Sequence, residues 1–261
     1  MESEYPILEF DPAERAIFNP EQSVQRLEGV PRGCVICFFQ DVLGHLVERG
    51  GTVQIATLNS ELGVNPVFTV SRNGSDVALV HPGVGAPMAV FVMEEMIALG
   101  CEHFIVCGGA GVLDPAIAVG HVVVPIAAIR DEGTSYHYLP PAREVEPDPE
   151  ALDAVAETLR KHKVDFRPAK TWTTDAIYRE TQGKVERRRA EGCATVEMEA
   201  AALFAVGKFR RVPVAQLLYG GDDVSGIGEW DHRGWISHGV REDLLWLAVE
   251  SCLELGSARA S

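Results

Sequence analysis

Short apolar runs with β character alternate with helix-period stretches along almost the whole chain, and this alternation constrains the fold more than any single motif. Residues 34–39, 52–57, 67–70, 77–80, 104–107, 121–128, a segment near Thr171 and residues 214–219 read as strands. Residues 87–99, 148–162, a stretch through Arg189, residues 197–209 and the C-terminal segment read as helices. Strand–helix–strand order demands crossover connections, so an α/β fold is expected, with a central mixed, mostly parallel sheet flanked by helices. The 261 residues carry no internal repeat and no low-complexity linker. One domain over residues 34–255, after a lead-in over 1–33, fits that length.

Local signals sharpen several boundaries. Asn73-Gly74 separates two strand-like runs, as a type I′ hairpin turn with positive φ at both central residues would. Gly100 closes the helix over 87–99, and Asp148-Pro149 supplies N-cap and first-turn residue for the helix that follows. Residues 131–148 form a long polar, Pro-rich loop bearing the rings of Tyr136, His137 and Tyr138.

Charge narrows the partners. Against 23 Lys and Arg stand 38 Asp and Glu, a formal charge of −15, so phosphate backbones and anionic membranes repel the chain before specific contacts form. The basic run 184–189 contains its own Glu186 and reads as a solvated helix face. The start lacks a positive region followed by an apolar core, and no apolar run is long and unbroken enough to span a bilayer. Cysteines 34, 37, 101, 107, 193 and 252 lie mostly in apolar runs, which suits reduced core thiols in a cytoplasmic protein; Cys34 and Cys37 share a strand-like run and read as packing.

In such sheets ligands gather where loops leave the carboxyl ends of strands. Three strand ends are suggestive. His81-Pro-Gly-Val-Gly-Ala-Pro87 brings glycines and a helix start together, which exposes backbone N–H groups to an anion or a sugar. Cys107-Gly-Gly-Ala-Gly-Val-Leu113 offers a flat floor or close strand packing. Gly220-Gly-Asp-Asp-Val224 places two carboxylates after an apolar strand, suited to acid–base work or to a turn. A fourth segment, Thr195-Val-Glu-Met-Glu-Ala200, reads as a helix start with Glu197 and Glu199 turned to different sides.

Together Gly83-Val-Gly-Ala-Pro87, Gly108-Gly-Ala-Gly-Val-Leu113 with Gly120-His-Val-Val-Val124, Thr173-Thr-Asp-Ala-Ile-Tyr178, Val196-Glu-Met-Glu-Ala200 and Asp222-Asp-Val224 resemble, in order and spacing, the nucleoside phosphorylase-I superfamily. That superfamily includes purine nucleoside phosphorylases, uridine phosphorylases and methylthioadenosine nucleosidases. The resemblance implies cleavage of a nucleoside N-glycosidic bond, with phosphate as co-substrate and free base and ribose 1-phosphate as products. Hydrolysis by a nucleosidase, a uridine phosphorylase and a non-catalytic nucleoside binder are the alternatives.

By that resemblance Glu199 accepts the ribose hydroxyls and Met198 packs on the sugar. Val196, Glu197 and Gly109 line the base pocket. Ile177 stands where an aromatic usually stacks on the base, with Tyr178 or the Tyr136–Tyr138 rings as substitutes. Asp223, or Asp222 one residue earlier, protonates the leaving base, and Arg233 tunes that acid. Backbone N–H groups at Gly83, Gly85 and Gly108 face the phosphate or other nucleophile. The arginines that hold phosphate in the phosphorylases are missing here, since Gln40-Asp-Val-Leu-Gly44 follows the first strand and Val106 precedes the glycines. Arg130, Arg143 and Arg179 are the substitutes considered. The acid favours a purine, whereas Gly133-Thr-Ser-Tyr-His-Tyr138 is similar to a uridine phosphorylase loop. No metal or organic cofactor and no nucleic acid or membrane partner is implied. A homo-oligomer is.

Overall fold

The computed structural model describes residues 3–226 and 228–260. Ten strands form one sheet: β1 (Gly33–Cys37), β2 (Val53–Ser60), β3 (Gly63–Arg72), β4 (Ser75–Val80), β5 (His103–Val112), β6 (Val122–Asp131), β7 (Glu144–Val145), β8 (Phe166–Thr174), β9 (Cys193–Glu197) and β10 (Val214–Asp223). The helices are α1 (Gln40–Glu48), α2 (Ala86–Leu99), α3 (Pro149–Lys161), α4 (Gln182–Ala190), α5 (Ala200–Arg210) and α6 (His238–Ala260).

Strand β1 pairs in parallel with β4 and β5, while β2, β3 and β4 form an antiparallel meander at one edge. At the other end β5, β10, β6, β8 and β9 close on themselves, because β10 pairs with both β5 and β6 and β9 with both β5 and β8. The sheet is thus open at the hairpin edge and barrel-like around β5. Helices α1, α3 and α6 bury their apolar faces on one side, and α2 and α5 on the other.

The local signals hold. Asn73 and Gly74 have φ of 54° and 79°, both positive as the β3–β4 hairpin requires. The Asp148 carboxylate accepts from the N–H groups of Glu150 and Ala151 and caps α3. All six cysteines are buried and unbridged. Among the described residues no helix is long and apolar enough to cross a membrane.

Tertiary pairing corrects three readings. Residues 193–197 form the buried strand β9, with α5 beginning only at Ala200. Pairing with β8 and β5 overrides the helical pattern there. The glycine-rich run after Cys107 packs closely, as one of its two readings had it: it is the second half of β5, and a Cβ on Gly109 would stand 3.1 Å from the Tyr219 ring, so this close approach to β10 needs glycine. Residues after β1 form the unexpected helix α1. The basic run lies on α4, but Arg188 is buried, bonded to Asp131 (3.0 Å) and Glu191 (2.9 Å) and lying over the Trp172 ring. The solvated-face reading therefore fails for that residue.

Candidate active site

A cavity of about 350 Å³ opens where β1, β5, β9 and β10 end. Its floor is Gly108–Gly111 of β5, and its wall carries Glu199, Glu197, Glu180, Asp222, Gln216 and Arg241. A larger hollow of about 630 Å³ lies between the N-terminal lead-in, α2 and the loop around Tyr138. Glu199, Glu180 and Asp222 do not line it. Convergent carboxyl groups, not volume, single out the smaller cavity.

Glu199 sits at the junction of β9 and α5 and is 6% exposed. One carboxylate oxygen accepts from the Gly85 N–H at 2.6 Å and the other from the Met198 N–H at 3.3 Å. Burial, then the neighbouring charge of Glu197, pushes its carboxyl well above the usual range. Glu197 is committed to the scaffold: one oxygen accepts from the Thr173 hydroxyl at 2.6 Å, the other from the N–H groups of Glu199 (2.7 Å) and Ala200 (2.6 Å). It therefore anchors the first turn of α5, and the adjacent Glu199 is presented at a fixed place. Burial raises the Glu197 carboxyl too, against the pull of those three donors.

The two aspartates after β10 have different fates. A register shift between Gly220 and Asp223 gives β10 one residue more than β5 over that span. Asp222 lines the cavity and accepts the Trp230 indole N–H at 2.7 Å. Asp223 is not among the cavity's lining residues; its carboxylate takes the Ser225 N–H at 2.7 Å and the Arg233 guanidinium at 3.4 Å. Burial alone would raise the Asp223 carboxyl, but those partners outweigh it and hold it below its ordinary value. Arg233 thus pairs with Asp223 and also donates to the Ile117 carbonyl at 2.9 Å; neither is among the cavity's lining residues.

The remaining expected residues divide. Val196, Met198, Ile177, Gly108 and Gly109 line the cavity. Tyr178 is 95% exposed and does not, and the Tyr136 and Tyr138 rings lie elsewhere, under Arg130 and against Phe209. Phe38, Trp230 and Trp235 bring the aromatic surface instead. The Gly85 N–H is occupied by Glu199, and Gly83 lines a separate groove beside the β2–β3 hairpin. Arg130 donates to Ser135, Leu139 and Pro140, and Arg143 pairs with Glu191, so neither reaches the cavity.

Three wall residues carry no motif. Glu180 follows β8 and a single helical turn; burial, then the charge of Asp222, raises its carboxyl from 4.5 to about 7. Arg241 of α6 donates to Asp41 at 2.9 Å and to the Tyr219 hydroxyl at 3.1 Å. Gln216 lies deep on β10. A polar residue in an apolar strand was the one available signal for Gln216. For Glu180, within the charged run Tyr178-Arg-Glu-Thr181, there was none. No cluster of three or more His, Cys, Asp or Glu suited to a metal occurs among the described residues.

Comparison with known proteins gives the same direction. A family model of the phosphorylase superfamily matches residues 33–242. A guanosine phosphorylase of Halorubrum lacusprofundi is 30% identical over 142 residues, 54% of this chain and 59% of that protein. A uridine phosphorylase of Treponema pallidum is 34% identical over 162 residues, 58% of this chain and 63% of that one. The chain thus spans under two thirds of the length of these relatives. Among solved structures, a purine nucleoside phosphorylase from Toxoplasma gondii in complex with immucillin-H superposes with a TM-score of 0.74 at 18% identity, covering 90% of this chain and 93% of that one. An AMP nucleosidase from Bacteroides thetaiotaomicron gives 0.72 at 23%, covering 92% and 96%. At such identities these two similarities speak for the fold alone.

Proposed function

This chain belongs to the phosphorylase superfamily, and we propose that it cleaves the N-glycosidic bond of a purine nucleoside with phosphate, releasing free base and ribose 1-phosphate. The observation that carries the reading is a single cavity shared by Glu199 and the carboxyl pair Asp222 and Glu180. In this scheme Glu199 accepts the ribose 2′- and 3′-hydroxyls. Their donation favours its charged form, and a charge-assisted bond in a buried site is of the stronger class. Met198 packs on the sugar beside it.

As the C1′–N bond breaks, its electron pair moves into the heterocycle. A proton supplied at the carboxyl end spares the leaving base that charge. Glu180, raised to about 7, is half protonated near neutral pH and lies beside Asp222 on the same wall. Asp222 replaces Asp223 in this role, because Asp223 is bound to Arg233 and outside the cavity. An oxygen of phosphate forms the new bond to C1′ on the opposite side of the sugar. A purine is favoured because its N7 gives such an acid something to protonate, and Trp230 and Phe38 offer surface to a flat base.

Hydrolysis is the second reading, favoured by one observation. Arg241, the guanidinium on the cavity wall among the described residues, is already bonded to Asp41 and Tyr219. A panel of purine and pyrimidine nucleosides, assayed for base release with and without phosphate, tests both. Phosphate-dependent release of purines is expected. Release at the same rate without phosphate would replace phosphorolysis by hydrolysis, and a preference for uridine would overturn the purine assignment.

A further inference from the structure

Arg241, in the first turn of α6, is 8% exposed and held from three directions. Its Nη1 donates to Asp41 Oδ1 at 2.9 Å and its Nε to the Tyr219 hydroxyl at 3.1 Å, while the centre of the Trp235 ring lies 4.9 Å from the guanidinium carbon. The third nitrogen, Nη2, bonds to none of the described residues, yet it is not among the chain's sealed unpaired atoms, so one side of it stays open. Arg241 lines the cavity, and the cavity is that open side. A guanidinium fixed through two nitrogens and a ring, with donor capacity left over, is pre-organised for an anion.

The floor glycines locate that anion. A Cβ on Gly109 would stand 3.4 Å from the Tyr219 hydroxyl that Arg241 holds, and a Cβ on Gly111 would stand 3.5 Å from Asp222 Oδ1. Alternate residues of a strand share a face, so the two groups sit over one side of β5, two residues or roughly 7 Å apart. A displacement at the anomeric carbon has a matching span. The attacking oxygen stands roughly 3–3.5 Å from that carbon, and the glycosidic bond with the imidazole part of a purine makes up the rest. Glu199 lines the same cavity and grips the sugar between the two ends.

We propose that Arg241 binds the phosphate co-substrate through Nη2, so that the C-terminal helix supplies the guanidinium missing after β1 and at Val106. This rests on the phosphorolytic reading of the cavity. Asp41 and Tyr219 are positioning residues that hold the fork, and a charge-assisted bond from guanidinium to phosphate is of the stronger class. The step balances: a phosphate oxygen lone pair forms the bond to C1′, the C1′–N pair leaves with the base, and the carboxyl end supplies the proton. Arg241 keeps its own protons throughout.

The test compares wild type, Arg241→Lys and Arg241→Gln as full chains, with inosine and guanosine as probe nucleosides and inorganic phosphate varied. The wild type should require phosphate, and both variants should raise KM for phosphate at least tenfold with KM for nucleoside within twofold. Without nucleoside, phosphate should raise the unfolding temperature of the wild type but of neither variant, a readout that a purely structural arginine would not move. An unchanged phosphate KM, an equal rise in both KM values, or the same phosphate-induced shift in all three proteins overturns the assignment of Arg241 alone. So does failure of both variants to fold, which places the arginine in the scaffold. Base release without phosphate, or none from either nucleoside, refutes the phosphorolytic reading itself, and this assignment falls with it.

Discussion

Replacing Glu180 by Gln gives a stability effect whose size and sign follow from its place in the cavity wall. Burial and the charge of Asp222 raise the carboxyl from 4.5 to about 7, so the folded state holds this proton across an interval in which the unfolded chain has lost it. Because the folded value is the higher one, the stabilisation is fully present below pH 4.5 and is lost progressively as pH rises to about 7. At about 1.4 kcal/mol per pH unit, the loss amounts to about 3 kcal/mol. Gln is close in shape and neutral throughout. Glu180→Gln should therefore match wild type within ~1 kcal/mol at pH 5 and exceed it by about 3 kcal/mol at pH 8. Urea unfolding of both proteins at the two pH values measures this, and taking the difference cancels the titrating groups that do not interact with residue 180. An equal difference at both pH values, or an advantage confined to pH 5, would refute the argument. Kinetics give an independent check: wild-type kcat/KM should fall as pH rises through 7, while the variant should be slow at either pH.

Three further outcomes can be checked. Glu199→Ala should lower kcat/KM by roughly 10²- to 10⁴-fold, since two charge-assisted bonds to the ribose are each worth about 1.5–3 kcal/mol; steady-state assays on a cleaved nucleoside read this. Asp222→Asn should slow purine release by roughly 10²-fold or more, whereas Asp223→Asn should act mainly on stability through its Arg233 and Ser225 contacts. The reverse order in a side-by-side assay would return the acid to Asp223. Asp148→Ala removes the cap of α3, whose residues do not line the cavity, and should cost about 1 kcal/mol in denaturant unfolding with kcat/KM unchanged.

Features fixed by a few adjacent residues were legible. The Asn73-Gly74 turn, the Asp148 cap and the glycines of β5 depend on local φ, local hydrogen bonds and the missing Cβ. The motif around Glu199 was legible as well, since it is contiguous in sequence. Strand β9 was not, because its helix-compatible residues are held extended only by neighbours from β8 and β5. Glu180 belongs to no pattern that composition or spacing can distinguish from surface, and Gln216 stands out only as a polar residue in an apolar strand.

The amino-acid order by itself determined the alternation of strands and helices, the turn that pairs β3 with β4, and the short stretches that gather at strand ends. Only the tertiary structure decided which carboxylate enters the cavity. One extra residue in β10 sets Asp222 in the wall and leaves Asp223 to Arg233. Side chains alternate along a strand, so a single inserted position exchanges inside for outside, and that insertion is defined by pairing with a strand a hundred residues away in the chain.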